Sequence, residues 1–376
     1  MSLQAKCGNR TKKSDLANLT HCPSTADMFM SAHQPIQFPK FECAQSHPRK
    51  WDKMFFEILN WLKTGTDFYP LFNFHIFTPE LPNMKVSGFT FIRNAVANDY
   101  PVVEAITSIL PICDEFVVAV GHSDDGTRKL IEDISSPKVK IIDTVWDLSL
   151  KESGRVFALE TDKALAAISP DSDWAFYIQG DEAVHEKYLP LIRKEMEDNL
   201  GDGKIEGLLF KYVHFYGSYD YYGDTRRWYR REIRVIKNIP GMSSFRDAQG
   251  FRLNGEKINV KLIDAYIYHY GWARPPQGLT QKTRNFNKFY RDEYWHQQHM
   301  PETYEFAYDN ADRIKKFKGT HPETMHKRIA ATNWNVNFKE KSLQKDYTFR
   351  RRFLQFVFDL TGWSIGEYRN YKIVKK

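Results

Sequence analysis

The sequence predicts an α/β fold: a mostly parallel sheet with flanking helices, followed by a mainly helical C-terminal region. Three observations carry that prediction. From Met84 onward strand-like and helix-like segments alternate, the β-α-β-α-β order that builds a parallel sheet. The strand-like runs are continuously apolar, as strands covered on both faces must be. Beyond residue 275 the pattern turns helical, through NFNKFYRDEYW, ADRIKKFKG and FRRRFLQFVFDLTG.

Taken in order, VSGFTFI from Val86 is the first strand, and DYPVVEAITSILPIC is a helix opened by Pro101, whose fixed φ suits a first turn. DEFVVAVG is a second strand, GTRKLIEDIS a short helix and KVKIIDTVW a third strand. RVFALETDKALAAIS places Leu159, Leu165 and Ile168 among the apolar positions of a helix, and DWAFYIQG is the next strand. After about Tyr188 the pattern loosens, and GLLFKYVHFYG and REIRVIKN read as antiparallel or edge strands. Residues 1–83 show little regular pattern beyond a short amphipathic stretch, KWDKMFFEILNWLK. Because Met84 stands just before the first strand, residues 1–83 are expected to be an extension outside a catalytic fold spanning 84–275, with 276–376 as a basic, mainly helical region.

Composition narrows the classes. At 376 residues with 42% hydrophobic content the chain can bury a sizeable core. It contains no run of 18 or more apolar residues, which a membrane-spanning helix needs, and its first residues lack the apolar stretch of a signal peptide. Four cysteines without a CxxC pair point to a reducing, cytoplasmic setting. The net charge of +7 is concentrated in the tail, where Lys341 to Lys376 holds nine basic residues against three acidic ones. Phe349, Phe353, Phe356, Val357 and Leu360 recur there at helical spacing. That face either packs on the catalytic domain, with Arg350 to Arg352 solvated, or docks on an acidic glycan or an anionic membrane surface from the cytoplasmic side. No nucleic-acid-binding motif accompanies the charge.

In open α/β sheets ligands sit beyond the carboxyl ends of the strands. Three turns loaded with polar groups fall there: Arg93 and Asn94 after the first strand, Asp124, Asp125, Gly126 and Thr127 after the second, and Asp181 with Glu182 after Gln179 and Gly180. Acids converging on one edge imply a cation, and carboxylates suit a hard divalent ion, Mg²⁺ or Mn²⁺, which also holds phosphate oxygens.

The order strand–RNA, helix with DYP, strand–SDDGT and strand–QGDE resembles the family 2 glycosyltransferases of GT-A fold, over about Met84 to Ala273. The resemblance implies a nucleotide-binding sheet and transfer of a sugar from a nucleotide-sugar donor to a glycan or other hydroxyl acceptor, assisted by Mn²⁺ or Mg²⁺ and inverting. It makes Asp181 the last residue of the family's Asp-x-Asp metal motif. It also sets Arg93, Asn94, Asp124, Asp125 and Thr127 at the nucleotide, and His269 in HYGWAR as a metal or diphosphate ligand. Arg274 or Lys282 then neutralises the leaving diphosphate, for which arginine is well shaped. Two departures stand out: Gln179 occupies the place of the first Asp, and the acids that usually end the second strand are Val120 and Gly121 here.

An inverting transfer needs a carboxylate to take the acceptor's proton. Asp247, in SFRDAQGFR, is favoured over Asp224 and Glu232, and Glu232 is expected to pair with a neighbouring arginine. The stretch FKYVHFYGSYDYYGDTRRWYRR offers Tyr221, Tyr222 and Trp228 as an acceptor wall, or else packs its aromatics on one another. Glu182 is read as a supporting acid behind the metal motif, and His185 and Glu186 as helix-start residues. Two other readings remain open: a nucleotidyltransferase that releases pyrophosphate, and a scaffold of the same fold that binds glycan or nucleotide without turnover.

Overall fold

The computed structural model describes residues 84–150, 154–291, 293–308, 313–338 and 347–374. The expectation for residues 1–83 lies outside them.

In chain order the elements are β1 (Val86–Ile92), α1 (Val102–Ile109), β2 (Glu115–Gly121), α2 (Thr127–Glu132), β3 (Val139–Thr144), α3 (Arg155–Ala166), β4 (Trp174–Tyr177) and β5 (Glu182–Val184). There follow α4 (Leu189–Asp198), β6 (Gly207–Tyr216), β7 (Tyr221–Gly223), β8 (Arg231–Lys237), β9 (Met242–Phe245), β10 (Gly250–Leu253), β11 (Glu256–Lys257) and β12 (Asn259–Trp272). The C-terminal region holds α5 (Pro276–Asn287), α6 (Glu293–His299), β13 (Ile314–Lys316), α7 (Glu323–Ala330), α8 (Phe349–Thr361) and β14 (Lys372–Ile373).

The α/β class is as expected. The main sheet runs β13-β7-β6-β8-β4-β1-β2-β3, with β12 paired to β6. Strands β3, β2, β1 and β4 are mutually parallel, whereas β8 is antiparallel to both β4 and β6. Alternation along β2 shows why its run had to be apolar throughout. Phe116, Val118 and Val120 enter the core on one face, and Val117 and Ala119 enter the core on the other. Helix α1 covers the first face with Val102, Ala105, Ile106 and Ile109, and α3 covers the second with Val156, Phe157 and Ala164. The chain leaves β1 for β2 and β3, then returns to β4 on β1's other side. The crevice at β1 and β4 is therefore the switch point at which such sheets bind ligands.

Three C-terminal expectations are corrected. NFNKFYRDEYW is not one helix: α5 ends at Asn287, and a turn bonded from Phe289 and Tyr290 back to Phe286 and Asn287 precedes α6. That turn lets the Tyr290 hydroxyl reach Asp247. Within ADRIKKFKG, Ile314–Lys316 is a strand, because it completes the sheet antiparallel to β7. The tail helix α8 also does not bury its apolar face. Gln355 is its buried residue, while Phe349, Phe356 and Leu360 are 86%, 61% and 74% exposed.

Candidate active site

Asp181 and Glu182 are neighbours with opposite duties. Glu182 turns inward, where it is fully buried and accepts hydrogen bonds from Arg234 Nε (2.8 Å) and Nη2 (2.7 Å), Tyr212 Oη (2.8 Å) and the Gln179 amide (3.1 Å). A buried carboxylate with four such donors is compensated, and its bond to Gln179 fixes the turn beyond β4. Asp181 turns to the cavity instead. Lys282 Nζ, on α5, donates to Asp181 Oδ2 (2.9 Å) and to the Gly271 carbonyl (2.8 Å). Burial alone would raise the Asp181 carboxyl, but Lys282, His269 and Arg274 together outweigh it and hold it well below the ordinary value.

His269 Nε2 lies 3.7 Å from the same Asp181 oxygen. Its protonation follows from a chain of hydrogen bonds. His214 Nε2 contacts the Tyr229 carbonyl at 2.6 Å, and a carbonyl only accepts, so that nitrogen carries a proton. Burial pushes His214 down to about 3 and His269 to about 4, so both rings are neutral at pH 7. The bare Nδ1 of His214 must then accept from Nδ1–H of His269 at 3.1 Å. His269 therefore presents a bare lone pair at Nε2 toward the Asp181 carboxylate. Asp181 Oδ2, Lys282 Nζ and His269 Nε2 converge over Gly271, where a Cβ would lie 2.6, 2.7 and 2.8 Å from them. Only glycine leaves that cradle open.

A lone pair and a carboxylate oxygen facing each other across a cradle fit a divalent cation. Among the described residues no three His, Cys, Asp or Glu side chains converge as a metal-binding group. A cation over Gly271 would have two ligands from the chain and would displace the Lys282 ammonium that now holds Asp181 Oδ2, drawing its remaining ligands from phosphate oxygens or water.

Two cavities meet at this point. One, of about 350 Å³, has Phe91, Trp146, Phe157 and Phe289 on one side and Arg93, Asn94 and Asn98 among its polar groups. The other, of about 770 Å³, runs along β8 and the C-terminal segment and includes Trp228, Arg231, Glu232, His269 and Asn370. Gln179, Asp181, Asp247, Lys282 and Phe286 belong to both. Asp247 is held by the Tyr290 hydroxyl at Oδ2 (3.0 Å) and by Gln249 at Oδ1 (3.1 Å). Its neighbours Arg246 and Ala248 both adopt positive φ, 56° and 61°, a costly conformation that persists where surrounding structure imposes it. Gln179 Nε2 donates to the Ala248 carbonyl (3.3 Å), so the residue in the place of the family's first Asp pins the Asp247 loop.

The structure thus brings together Arg93, Asn94, Gln179, Asp181, Asp247 and His269, with Trp228 along the larger cavity. It does not bring in the acids after β2. Asp125 accepts from the Ala97 amide (2.7 Å) and from Thr127 Oγ1 (2.5 Å), and Thr127 Oγ1 in turn accepts from the Ala95 amide (2.7 Å). Those bonds fix the turn that carries Asn94, itself at φ 51° and tied to Ser123 Oγ (3.0 Å). Asp124 is exposed beside His122. Arg274 is buried under Tyr100 and bonded to the Asn98 carbonyl, behind the cavity wall rather than on it. Tyr221 packs on Phe338 and Tyr222 on Phe317, so of the three aromatics proposed for an acceptor wall only Trp228 lines the larger cavity. Glu232 Oε2 is buried without a hydrogen-bond partner, instead of pairing with a neighbouring arginine. His185 caps the turn Glu186–Tyr188, as expected of a helix-start residue. The His214 relay and the aromatic wall of the smaller cavity escaped the sequence reading, because their members lie on separate strands and helices with no local spacing to reveal them.

No protein-family model and no curated protein matches the chain. Among solved structures it is similar to glucosyl-3-phosphoglycerate synthase from Mycobacterium tuberculosis in complex with Mn²⁺, uridine diphosphate and phosphoglyceric acid, at 19% identity over 35% of this chain and 44% of that one, TM-score 0.24. It is also similar to S. aureus TarS, at 14% identity over 54% of this chain and 39% of that one, TM-score 0.32. A third is 4-diphosphocytidyl-2C-methyl-D-erythritol synthase from Anaerococcus prevotii, at 12% identity over 54% and 96%, TM-score 0.32. The chain spans less than half the length of the first two. It resembles GT-A glycosyltransferases over part of its length. At these values the likeness carries no argument about activity.

Proposed function

We propose that the protein is a glycosyltransferase that moves a sugar from a nucleotide-sugar donor to a hydroxyl acceptor with inversion. The observation that carries this reading is the pair of cavities sharing Asp181, Lys282 and Asp247. The smaller, aromatic one suits a nucleotide, with Arg93 and Asn94 at its polar end. The larger one suits the acceptor. Asp181 and His269 would hold Mn²⁺ or Mg²⁺, which when bound offsets charge on the diphosphate. Lys282 stands at the same place to accept negative charge as the nucleoside diphosphate leaves. Asp247, on the shared wall, takes the proton of the acceptor hydroxyl. As it does so the new bond to the anomeric carbon forms and the old bond to the diphosphate oxygen breaks. The Tyr290 hydroxyl keeps its proton, because burial and Asp247 both push it upward, and so holds the carboxylate in place as a donor.

Titration calorimetry of the full chain with UDP, GDP and CDP, with and without Mn²⁺, tests the reading. One nucleotide should bind tightly only with the metal, and Asp181→Ala should abolish that dependence. Binding of no nucleotide would remove the donor assignment.

A second proposal concerns α8. Phe349, Phe353, Phe356 and Leu360 form one exposed stripe bordered by Arg350 and Arg352, the pattern of a helix that lies in a membrane interface. No helix among the described residues is long and apolar enough to cross a membrane. Charge complementarity supports an anionic membrane surface, such as the inner face of the membrane, as the proposed occupant. Vesicles containing phosphatidylserine should sediment the wild-type chain, whereas phosphatidylcholine vesicles should not. A Phe353→Ser, Phe356→Ser double variant that still sediments would overturn the docking.

A further inference from the structure

The wall of the larger cavity carries more cationic groups than its acids and neighbours use. Arg226, Arg227, Arg230, Arg231 and Arg234 all line it. Arg234 is committed to Glu182, Arg230 to Glu367, and Arg227 is engaged as well. Arg226 Nη2 donates to the Ile365 carbonyl (2.5 Å), which leaves its Nε buried without a partner. The Arg231 side chain, at the start of β8, makes no hydrogen bond or ion pair among the described residues and is only half-buried. The carboxyl groups on the same wall do not answer this charge. Asp181 is held by Lys282, Glu367 by Arg230, and Asp247 accepts from neutral donors. Burial first, then the nearby acids, pushes Glu232 up to about 8 against the pull of Arg234, so at pH 7 it is a neutral donor.

A second observation points to a polar ligand. Four buried atoms on this wall lack any partner: Arg226 Nε, Glu232 Oε2, and both Oδ1 and Nδ2 of Asn370. Buried polar groups are ordinarily satisfied, so four unpaired ones on one wall point to a ligand whose own groups would complete them.

We infer that the larger cavity binds an anionic acceptor, a polyhydroxyl molecule whose phosphate or carboxylate is taken by Arg226 and Arg231 while its hydroxyls meet Asn370 and Glu232. The inference rests on the glycosyltransferase reading in calling the ligand the acceptor. Guanidinium groups match both oxyanions through paired N–H donors, and neutral sugars offer them nothing comparable. The anion also keeps the acceptor's reactive hydroxyl oriented toward Asp247 on the shared wall.

The test is calorimetry on the full chain saturated with UDP and Mn²⁺, so that the donor side is filled. Glucose, glucose 6-phosphate and glucuronate are the probes. At least one of the two anions should bind on the order of tenfold or more tightly than glucose, as charge-assisted bonds require. Preference between them tells phosphate from carboxylate. Arg231→Ala and Arg226→Gln should each erase the preference while UDP affinity stays unchanged, which also shows that the variants are folded. Equal affinity for all three probes, no binding of either anion, or displacement of the anion by UDP overturns the inference and leaves the donor reading intact. Anion binding that survives when no nucleotide binds removes the donor reading and leaves the anion site.

Discussion

The two cavities differ in kind. The smaller is walled by Phe91, Trp146, Phe157 and Phe289, flat apolar groups that gain by burying a ring and fix orientation through a few polar atoms. The larger is walled by arginines and unsatisfied polar atoms, where recognition must come from charge and hydrogen bonds. On the proposed reading one side would select by shape and the other by electrostatics, with the residues between them serving both. Their common support is the Glu182–Arg234 pair. It bonds Gln179 on one side of the wall and, through the guanidinium, lies under Tyr212 and Tyr177.

The largest effect is expected from that support. Glu182→Ala leaves Arg234 buried without its counter-charge, which should lower stability by about 3–5 kcal/mol. Urea unfolding followed by circular dichroism reads it as a fall in midpoint. A loss under about 1 kcal/mol, the value of a solvated pair, would mean that water reaches Arg234. The double replacement Glu182→Met, Arg234→Met should recover much of the loss, since both charges go at once.

A smaller effect, confined to one side, should follow Gly271→Ala. The added methyl intrudes between Asp181, His269 and Lys282, so turnover should drop on the order of 10²-fold while the chain remains folded. Metal-dependent nucleotide binding should weaken with it, and anion binding in the larger cavity should not. If both sides weaken equally, the two cavities are one site and the contrast between them fails.

How much of this was legible in the sequence follows the same division. Arg93, Asn94, Gln179 and Asp181 come within a few residues of strand ends, and strands β1 and β4 announce themselves as short apolar runs. Their place in the site could be read from position alone. The acids after β2 misled, because an Asp-rich turn looks the same whether it faces a ligand or, as with Asp125, satisfies the Thr127 amide of its own turn and the Ala97 amide of the loop after β1. The larger cavity was illegible for a different reason. Its wall is assembled across long separations, with Arg226 meeting Gln355 and Ile365, and Arg230 meeting Glu367. Nothing in the local spacing of DTRRWYRRE says which arginine will be neutralised. The tail helix shows the limit of periodicity: the 3–4 spacing of Phe349 to Leu360 correctly predicts a helix and one apolar face, but the buried contact falls to Gln355, which bonds the Arg226 amide.

The last effect concerns pH and only the charged cavity. Glu232 is pushed up to about 8 by burial, so between its ordinary value of 4.5 and about 8 the folded chain holds a proton that the unfolded chain has released. Stability must therefore fall as pH rises through that window, by at most about 1.4 kcal/mol per pH unit from this group. Glu232→Gln removes the term. The variant and the parent should unfold alike near pH 4, and the variant should become progressively the more stable up to about pH 8, with no further divergence above it. A gap that is the same at every pH would mean that Glu232 is not the proton-holding group. The same substitution sharpens the contrast between the cavities. Once Glu232 ionises it opposes an anion nearby, so anion affinity in the parent should weaken above pH 8, whereas in the variant it should not. Nucleotide affinity, set on the other side of the shared wall, should follow neither curve.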